Sequence, residues 1–358
     1  MDLSRRSFMK IMCMVGGSAF LKACSRAEDT TNHQNEKQGI DGFKPAYASL
    51  EEQGKLQERI DQAYSIMESC ELCPHLCGVN RSAGEKGFCR APKRAVVHSY
   101  SPHFGEELPL VGSSGSGTIF FSNCSLRCVF CQNYPISHEG RGREISDERL
   151  ADFMLHLQNR GCPNINFVTP THVIPNILNA VRIAHKKGLN IPLCYNTSGF
   201  DRVEIIRLLD GIFDLYLPDL KFMDGEMMTR FSLRNSDNYA AMARASIKEM
   251  YRQVGNLIVN QQGVALRGLM IRHLVMPNRV AGTKEFVKWV AEELSKNTYV
   301  NIMAQYRVEY LAFDYEKIAR AITNEEFVEA KEWAIDAGLR NLDKRSMAQF
   351  RIRKNQGR

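Results

Sequence analysis

The 358-residue sequence has no low-complexity tract and no long run of like charge. Its 47 Lys and Arg outnumber its 40 Asp and Glu, for a formal charge of +7. The cations are scattered, however (Lys93-Arg94, Lys186-Lys187, Arg351 to Arg358), and read as a solvated surface. No nucleic-acid partner is expected from them, and the basic C-terminus is at most a hint of an anionic one. A phosphate loop is also missing. Gly112-Ser113-Ser114-Gly115-Ser116-Gly117 has no following Gly-Lys-Ser/Thr and precedes a strand instead of opening a helix, so it reads as an entry turn. The apolar stretch Ile11 to Leu21 is too short to span a bilayer as a helix.

What is present is cysteine. The chain has 11, six of them in close C-x2-C or C-x3-C groupings, a usage that inside a cell favours metal ligation over a disulfide framework. Cys124-Ser125-Leu126-Arg127-Cys128-Val129-Phe130-Cys131 is the most informative stretch. It follows the apolar run Gly117 to Ser122, so its three thiols sit at the end of an expected strand. Cubane iron–sulfur clusters normally take four thiolates. Three close in sequence leave one iron for a small molecule, which suits an enzyme better than an electron carrier. Zinc, the other common thiolate metal, usually takes closed sets of four.

From Thr118 onward short apolar runs alternate with helical patterns. The runs are 119–121, 165–168, 192–195, 215–217, 269–271 and 300–303. Helical spacing covers Asp147–Gln158 (N-cap candidate Ser146), Ile174–His185, Arg202–Leu209, Ala240–Val254 and Lys284–Leu294, with Glu325–Ala337 as a further helix. Alternation of this kind predicts an α/β fold with a parallel sheet and right-handed crossovers, and six repeats predict a partial (β/α)6 barrel. Upstream, Tyr47 to Met67 carries helical spacing and leads into a cysteine-rich extension. The expected organisation is a signal-like 1–24, a linker 25–45, a helix and metal-binding segment 46–111, the barrel 112–310 and a helical segment 311–358.

Barrels of this type carry their chemistry at the carboxyl ends of the strands. Every predicted run ends in polar residues: the cysteine loop, Thr169-Pro170-Thr171-His172, Asn196-Thr197-Ser198-Gly199, Pro218-Asp219-Leu220-Lys221, Arg272-His273 and Gln305-Tyr306-Arg307. Taken together they favour a site for a zwitterionic cofactor.

The C-x3-C-x2-C spacing, with aromatic Phe130 before the third cysteine, resembles the signature of the radical S-adenosylmethionine (radical SAM) superfamily. Asn196 to Phe200, Asp214 to Lys221 and Ile271 to Pro277 resemble strand segments of pyruvate formate-lyase activating enzymes within it. The resemblance covers residues 116 to 306. It implies a 4Fe–4S cluster on Cys124, Cys128 and Cys131, and S-adenosylmethionine bound near Phe130, Asn196 and Ser198. Asp219, Lys221 and Arg272 would contact its methionine part. It further implies reductive cleavage to a 5′-deoxyadenosyl radical, hydrogen abstraction from a substrate such as a glycine of a partner protein, and an electron donor such as flavodoxin or ferredoxin. The second strand departs from the activating-enzyme pattern, since Pro170-Thr171-His172 stands where those enzymes have a Gly-Gly-Glu-type motif. The Thr171 hydroxyl and nearby carbonyls are the expected substitutes. The other reading of the cysteines is a non-catalytic iron–sulfur carrier or sensor.

Cys70, Cys73, Cys77 and Cys89 form a second group, C-x2-C-x3-C-x11-C, with glycines for tight turns. They are an expected tetrathiolate site for either zinc or a second iron–sulfur cluster. This segment resembles the amino terminus of an uncharacterised branch of activating-enzyme-like proteins, which also share Asn133 and Tyr134. Cys194 reads as a core residue, and Cys162 and Cys13 have no expected role. At the amino terminus, Ser4 to Lys10 resembles a twin-arginine export signal, and Leu21-Lys22-Ala23-Cys24 a lipoprotein box from which Lys22 departs. The expectation is export, with a lipid on Cys24 as a membrane anchor; a cytoplasmic protein with an uncleaved basic extension is the alternative.

Overall fold

The computed structural model describes residues 42–234 and 236–348. The signal-like segment, Cys13, Cys24, most of the expected linker and the basic 351–358 stretch lie outside the described residues. Within them, ten strands form one sheet. They are β1 (Ala95–His103), β2 (Ser116–Phe121), β3 (Arg143–Ile145), β4 (Ile165–Val168), β5 (Leu193–Thr197), β6 (Leu215–Pro218), β7 (Ile258–Val259), β8 (Ala265–Leu274), β9 (Tyr299–Met303) and β10 (Asn341–Leu342). The order is β10-β9-β8-β6-β5-β4-β2-β1-β3, with β7 antiparallel on β8. The six strands β2, β4, β5, β6, β8 and β9 are successive parallel neighbours, as the alternating pattern requires. The order runs from β3 to β10 without the ends pairing, so the barrel is open.

The helices are α1 (Ala46–Glu52), α2 (Lys55–Ser65), α3 (Leu108–Val111), α4 (Tyr134–Ser137), α5 (Asp147–Asn159), α6 (Ile174–Lys186), α7 (Val203–Leu208), α8 (Gly225–Arg230), α9 (Tyr239–Val254), α10 (Thr283–Glu293) and α11 (Asn324–Asp336). Helix α5 starts where its sequence demands: the Ser146 side chain accepts the Arg149 N–H, satisfying one of the orphan donors of the first turn. Strands β5 and β6 are buried along their whole length, because both faces of the sheet are covered. On one face lies the main core. On the other a smaller cluster of Leu110, Cys194, Leu215, Leu217, Ala265, Met270 and Tyr299 fills the barrel interior. Leu110 enters it from α3, which Asn164 ties down by donating to the Leu110 carbonyl at 2.8 Å.

Two expectations change. The helix predicted from Tyr47 to Met67 is two helices, broken at Gln53-Gly54, where Gly54 takes φ +72°. The break lets α1 insert Tyr47 against the barrel, its hydroxyl donating to the Ile191 carbonyl, while α2 turns to pack on α6. The amino-terminal segment therefore belongs to the same compact unit as the barrel. Second, β1 and β3 extend the sheet antiparallel on the β2 edge, so the sheet is mostly, not wholly, parallel. Among the described residues no helix is long and apolar enough to cross a membrane.

Candidate active site

At the carboxyl ends of the parallel strands lies a cavity of about 260 Å³. The loop after β2 brings Cys124, Cys128, Phe130 and Cys131 to its wall, β5 brings Asn196 and Ser198, β6 brings Asp219 and Lys221, and β8 brings Arg272. Strand periodicity decides which residue of each tip takes part. Arg272 faces the cavity. Its neighbour His273 faces the other way, fully buried and stacked on Phe286 at 4.2 Å. Tyr306 likewise turns inward, donating to the Ile318 carbonyl.

The cysteine loop is held from several sides. The side chains of Leu126 and Val129 are fully buried anchors. Val129 N–H donates to the Phe231 carbonyl, and Leu233 N–H to that of Arg127. Asn123 (φ +75°) and Arg127 (φ +48°) adopt the left-handed conformation that non-glycine residues avoid, so the loop's path depends on these outside contacts. All three cysteines are free. Burial pushes the Cys124 and Cys128 thiols up, neighbouring sulfurs add to the effect, and the nearby Lys221 ammonium works against it.

Asp219 is the electrostatic centre of the opposite wall. Its Oδ2 lies 2.6 Å from Lys221 Nζ and its Oδ1 2.7 Å from Arg272 Nε. Arg272 Nη2 also donates to Asn196 Oδ1 at 2.6 Å. Burial works against the Asp219 charge, but Arg272 and Lys221 outweigh it and hold the carboxyl below its ordinary range. Burial would also lower Lys221, yet Asp219 and Cys128 keep its ammonium above the usual value. A carboxylate has about four lone-pair sites, and these two cations take two of them, leaving acceptor capacity for a ligand. The tip needs glycine at 199: φ is +81°, and a Cβ there would stand 2.1 Å from the Asp219 carbonyl oxygen.

Thr171, expected among the cofactor contacts, is not in the cavity wall. It is 2% exposed and donates to Asp201 Oδ1 at 2.7 Å, within a buried network completed by Thr197 and Tyr195. Thr169, in a left-handed turn at φ +60°, lines the cavity instead. Other participants were not legible in the sequence. Tyr239, from α9, donates to the Ser198 carbonyl and accepts from Lys221 N–H, both at 2.9 Å, fastening the β5 and β6 tips together. Glu106, from the loop after β1, reaches within 3.6 Å of Arg272. Neither has a local signal, since each acts across a long stretch of sequence.

Cys70, Cys73 and Cys89 are buried and Cys77 half-buried, around a turn in which Gly78 N–H donates to the Cys70 carbonyl. Burial first, and then the Cys89, Cys70 and Cys77 sulfurs, push the Cys73 thiol up, so the four share one neighbourhood. Among the described residues, no three His, Cys, Asp or Glu side chains converge closely enough to hold a single metal ion. A cubane cluster makes a different demand, because its thiolates stand around a body of several irons. Three thiols facing one cavity, opposite a carboxylate and two cations, fit such a cluster with an amino-acid ligand beside it.

Residues 118–263 match the family profile described as the radical SAM superfamily. An uncharacterized protein of Methanocaldococcus jannaschii is 34% identical over 289 residues, covering 78% of each chain. Matches among solved structures include native anSMEcpe with bound AdoMet, at 15% identity and TM-score 0.38, covering 60% of this chain and 57% of that one. The cobalamin-dependent S-adenosylmethionine radical enzyme OxsB matches at 13% identity and TM-score 0.36, over 68% of this chain and 36% of its own. Methylornithine synthase matches at 12% identity and TM-score 0.35, over 61% and 67%.

Proposed function

We propose that the chain, whose residues 118–263 match the radical SAM superfamily profile, is a radical enzyme holding a 4Fe–4S cluster on Cys124, Cys128 and Cys131, with S-adenosylmethionine beside it. The observation that carries this reading is that the three thiols and the Asp219–Lys221–Arg272 group line one cavity. When bound, the cluster supplies one electron for cleavage of the cofactor's sulfonium, giving methionine and a 5′-deoxyadenosyl radical that takes hydrogen from a substrate. The chain's own residues bind and shield. Lys221 and Arg272 offer cationic donors to the cofactor carboxylate, and Asp219 keeps lone pairs free for its amino group. Asn196 fixes the Arg272 fork, and Ser198 and Thr169 present polar atoms on the same wall. Phe130, packed on Phe222 and Tyr306, adds an apolar surface to the cavity wall beside the third cysteine. Hydrogen abstraction requires no acid or base, and no residue is assigned that role.

The likeness of residues 196–200, 214–221 and 271–277 to activating enzymes extends the proposal to a glycine of a partner protein as hydrogen donor, with a small flavin or iron–sulfur protein as reductant. Cys70, Cys73, Cys77 and Cys89 are proposed as a second iron–sulfur site; zinc, the other reading of the spacing, would need thiols converging on one ion, and among the described residues none do.

The test is electron paramagnetic resonance of the reconstituted, dithionite-reduced protein with and without S-adenosylmethionine. The proposal expects the cofactor to change the signal of the wild-type protein and expects Cys128→Ala to remove that response. A wild-type spectrum indifferent to the cofactor would instead identify an electron carrier or sensor.

A further inference from the structure

Cys131 differs from the other two cysteines of the loop in having a side-chain partner. Its Sγ lies 3.1 Å from Ser137 Oγ, and Ser137 Oγ lies 2.7 Å from His138 Nδ1. Cys124 meets backbone donors instead, Leu126 N–H at 3.4 Å and the Arg127 N–H. The single turn of α4 creates this chain. Ser137 N–H donates to the Asn133 carbonyl and His138 N–H to that of Tyr134, which folds residues 137 and 138 back toward Cys131. His138 is 4% exposed, its ring centroid 4.6 Å from that of Tyr310, which itself stacks on Tyr134 at 4.9 Å. Its Nε2 makes no well-aligned hydrogen bond, the Arg127 backbone being its nearest polar neighbour, so Ser137 at 2.7 Å is the ring's closest polar partner.

We propose that Ser137, oriented by His138, donates a hydrogen bond to the Cys131 sulfur and so raises the reduction potential of the cluster. The inference rests on the cluster assignment above. Its direction follows from proton counting. A cysteine that ligates iron is a thiolate, without a proton to give. The hydroxyl must then donate to sulfur, and its oxygen is free to accept an N–H from His138 Nδ1. The loaded protein therefore selects the Nδ1–H tautomer, since only that form lets His138 donate to the Ser137 oxygen while the hydroxyl donates to sulfur. Hydrogen bonds to ligand sulfurs withdraw charge from the cluster and favour its reduced form, and such outer contacts also orient the ligand. Cys131 is only half-buried, so a fixed donor here replaces a fluctuating one from water. Ser137 is thus a positioning and tuning residue for the cluster.

The experiment is a redox titration followed by electron paramagnetic resonance on reconstituted wild-type, Ser137→Ala, Ser137→Thr and His138→Phe proteins without S-adenosylmethionine. Iron and sulfide are counted in each, and in Cys128→Ala. The expected result is a more negative midpoint in Ser137→Ala, a return to the wild-type value in Ser137→Thr, and a shift in the alanine direction in His138→Phe, which keeps the ring but not Nδ1. Loaded Ser137→Ala and wild-type proteins with equal midpoints would overturn the inference and leave the cluster assignment standing. Iron content unaffected by Cys128→Ala would overturn the cluster assignment and this inference together.

Discussion

The His75 imidazole Nε2 lies 2.7 Å from the backbone carbonyl oxygen of Ser125. A residue between Cys73 and Cys77 thus touches the loop between Cys124 and Cys128. Phe88, beside Cys89, strengthens the contact: the Arg127 and Arg234 guanidiniums lie 5.3 and 5.4 Å from its ring centroid. The four-cysteine segment is therefore a brace on the cysteine loop of the barrel, and it bears on the stretch where Arg127 is held at φ +48°.

Removing the brace should loosen that loop. Phe88→Ala forfeits both cation–π contacts, each worth about 0.5–1 kcal/mol at exposed sites, together with ring packing. His75→Ala forfeits a hydrogen bond worth about 1 kcal/mol. Each variant should lower the denaturant midpoint and take up less iron per chain on reconstitution. Unchanged iron uptake in both would mean that the loop holds its shape without the segment.

Asp219→Asn should be costly in two ways. It leaves the Lys221 ammonium without its carboxylate and Arg272 with Glu106 at 3.6 Å, and breaking such a partly buried pair destabilises by up to about 3–5 kcal/mol. It also removes the acceptor proposed for the cofactor's amino group, so the affinity for S-adenosylmethionine should fall at least tenfold, to be read by equilibrium binding to the reconstituted protein. In the wild type the depressed Asp219 carboxyl contributes stability above its unfolded value of about 3.9, lost as pH falls through its folded value. Affinity equal to wild type in the folded variant would remove Asp219 from the site.

Buried His273 gives a pH signature of opposite origin. Burial holds its folded pKa down to about 4, against a slight rise from its bond to the Leu220 carbonyl and from Asp219. Because the folded value lies below the unfolded one of about 6.5, the unfolded chain binds more protons between them, and stability falls as pH is lowered through that window. From pH 7 to pH 5 this histidine should account for a loss of about 2 kcal/mol. His273→Gln should shrink the drop measured by urea unfolding at the two pH values by that amount. An unaltered drop would contradict a neutral, buried imidazole.

Gly199→Ala tests the closeness of the β5 and β6 tips. With φ at +81° and the Asp219 carbonyl 2.1 Å from the new Cβ, neither backbone can stay where it is. The expected loss is well above the roughly 1 kcal/mol of an ordinary glycine-to-alanine change at positive φ, with cofactor binding lost alongside it. Thermal unfolding and binding of the variant check both.

The sequence made the barrel legible because its six strand–helix units are long and periodic, and because Ser146 marks a helix start by local chemistry. The cysteine loop was legible for the same reason, as its spacing is local. What escaped was set by tertiary contact. Periodicity carried a single helix across Gly54, although docking Tyr47 required a break there. The motif position points to Thr171, whereas Thr169 lines the cavity, because a left-handed turn at a threonine leaves no trace in the sequence. Tyr239, Glu106 and His138 reach the site from distant or irregular segments, where no repeating pattern singles them out.

The most direct test of the central claim is chemical. The protein is reconstituted with iron and sulfide under anaerobic conditions, reduced with dithionite and given S-adenosylmethionine, and 5′-deoxyadenosine is measured by chromatography and mass spectrometry. The account predicts 5′-deoxyadenosine from the wild-type protein and none above background from Cys128→Ala. Absence of the product from cluster-loaded wild-type protein, or equal amounts from both proteins, would contradict it.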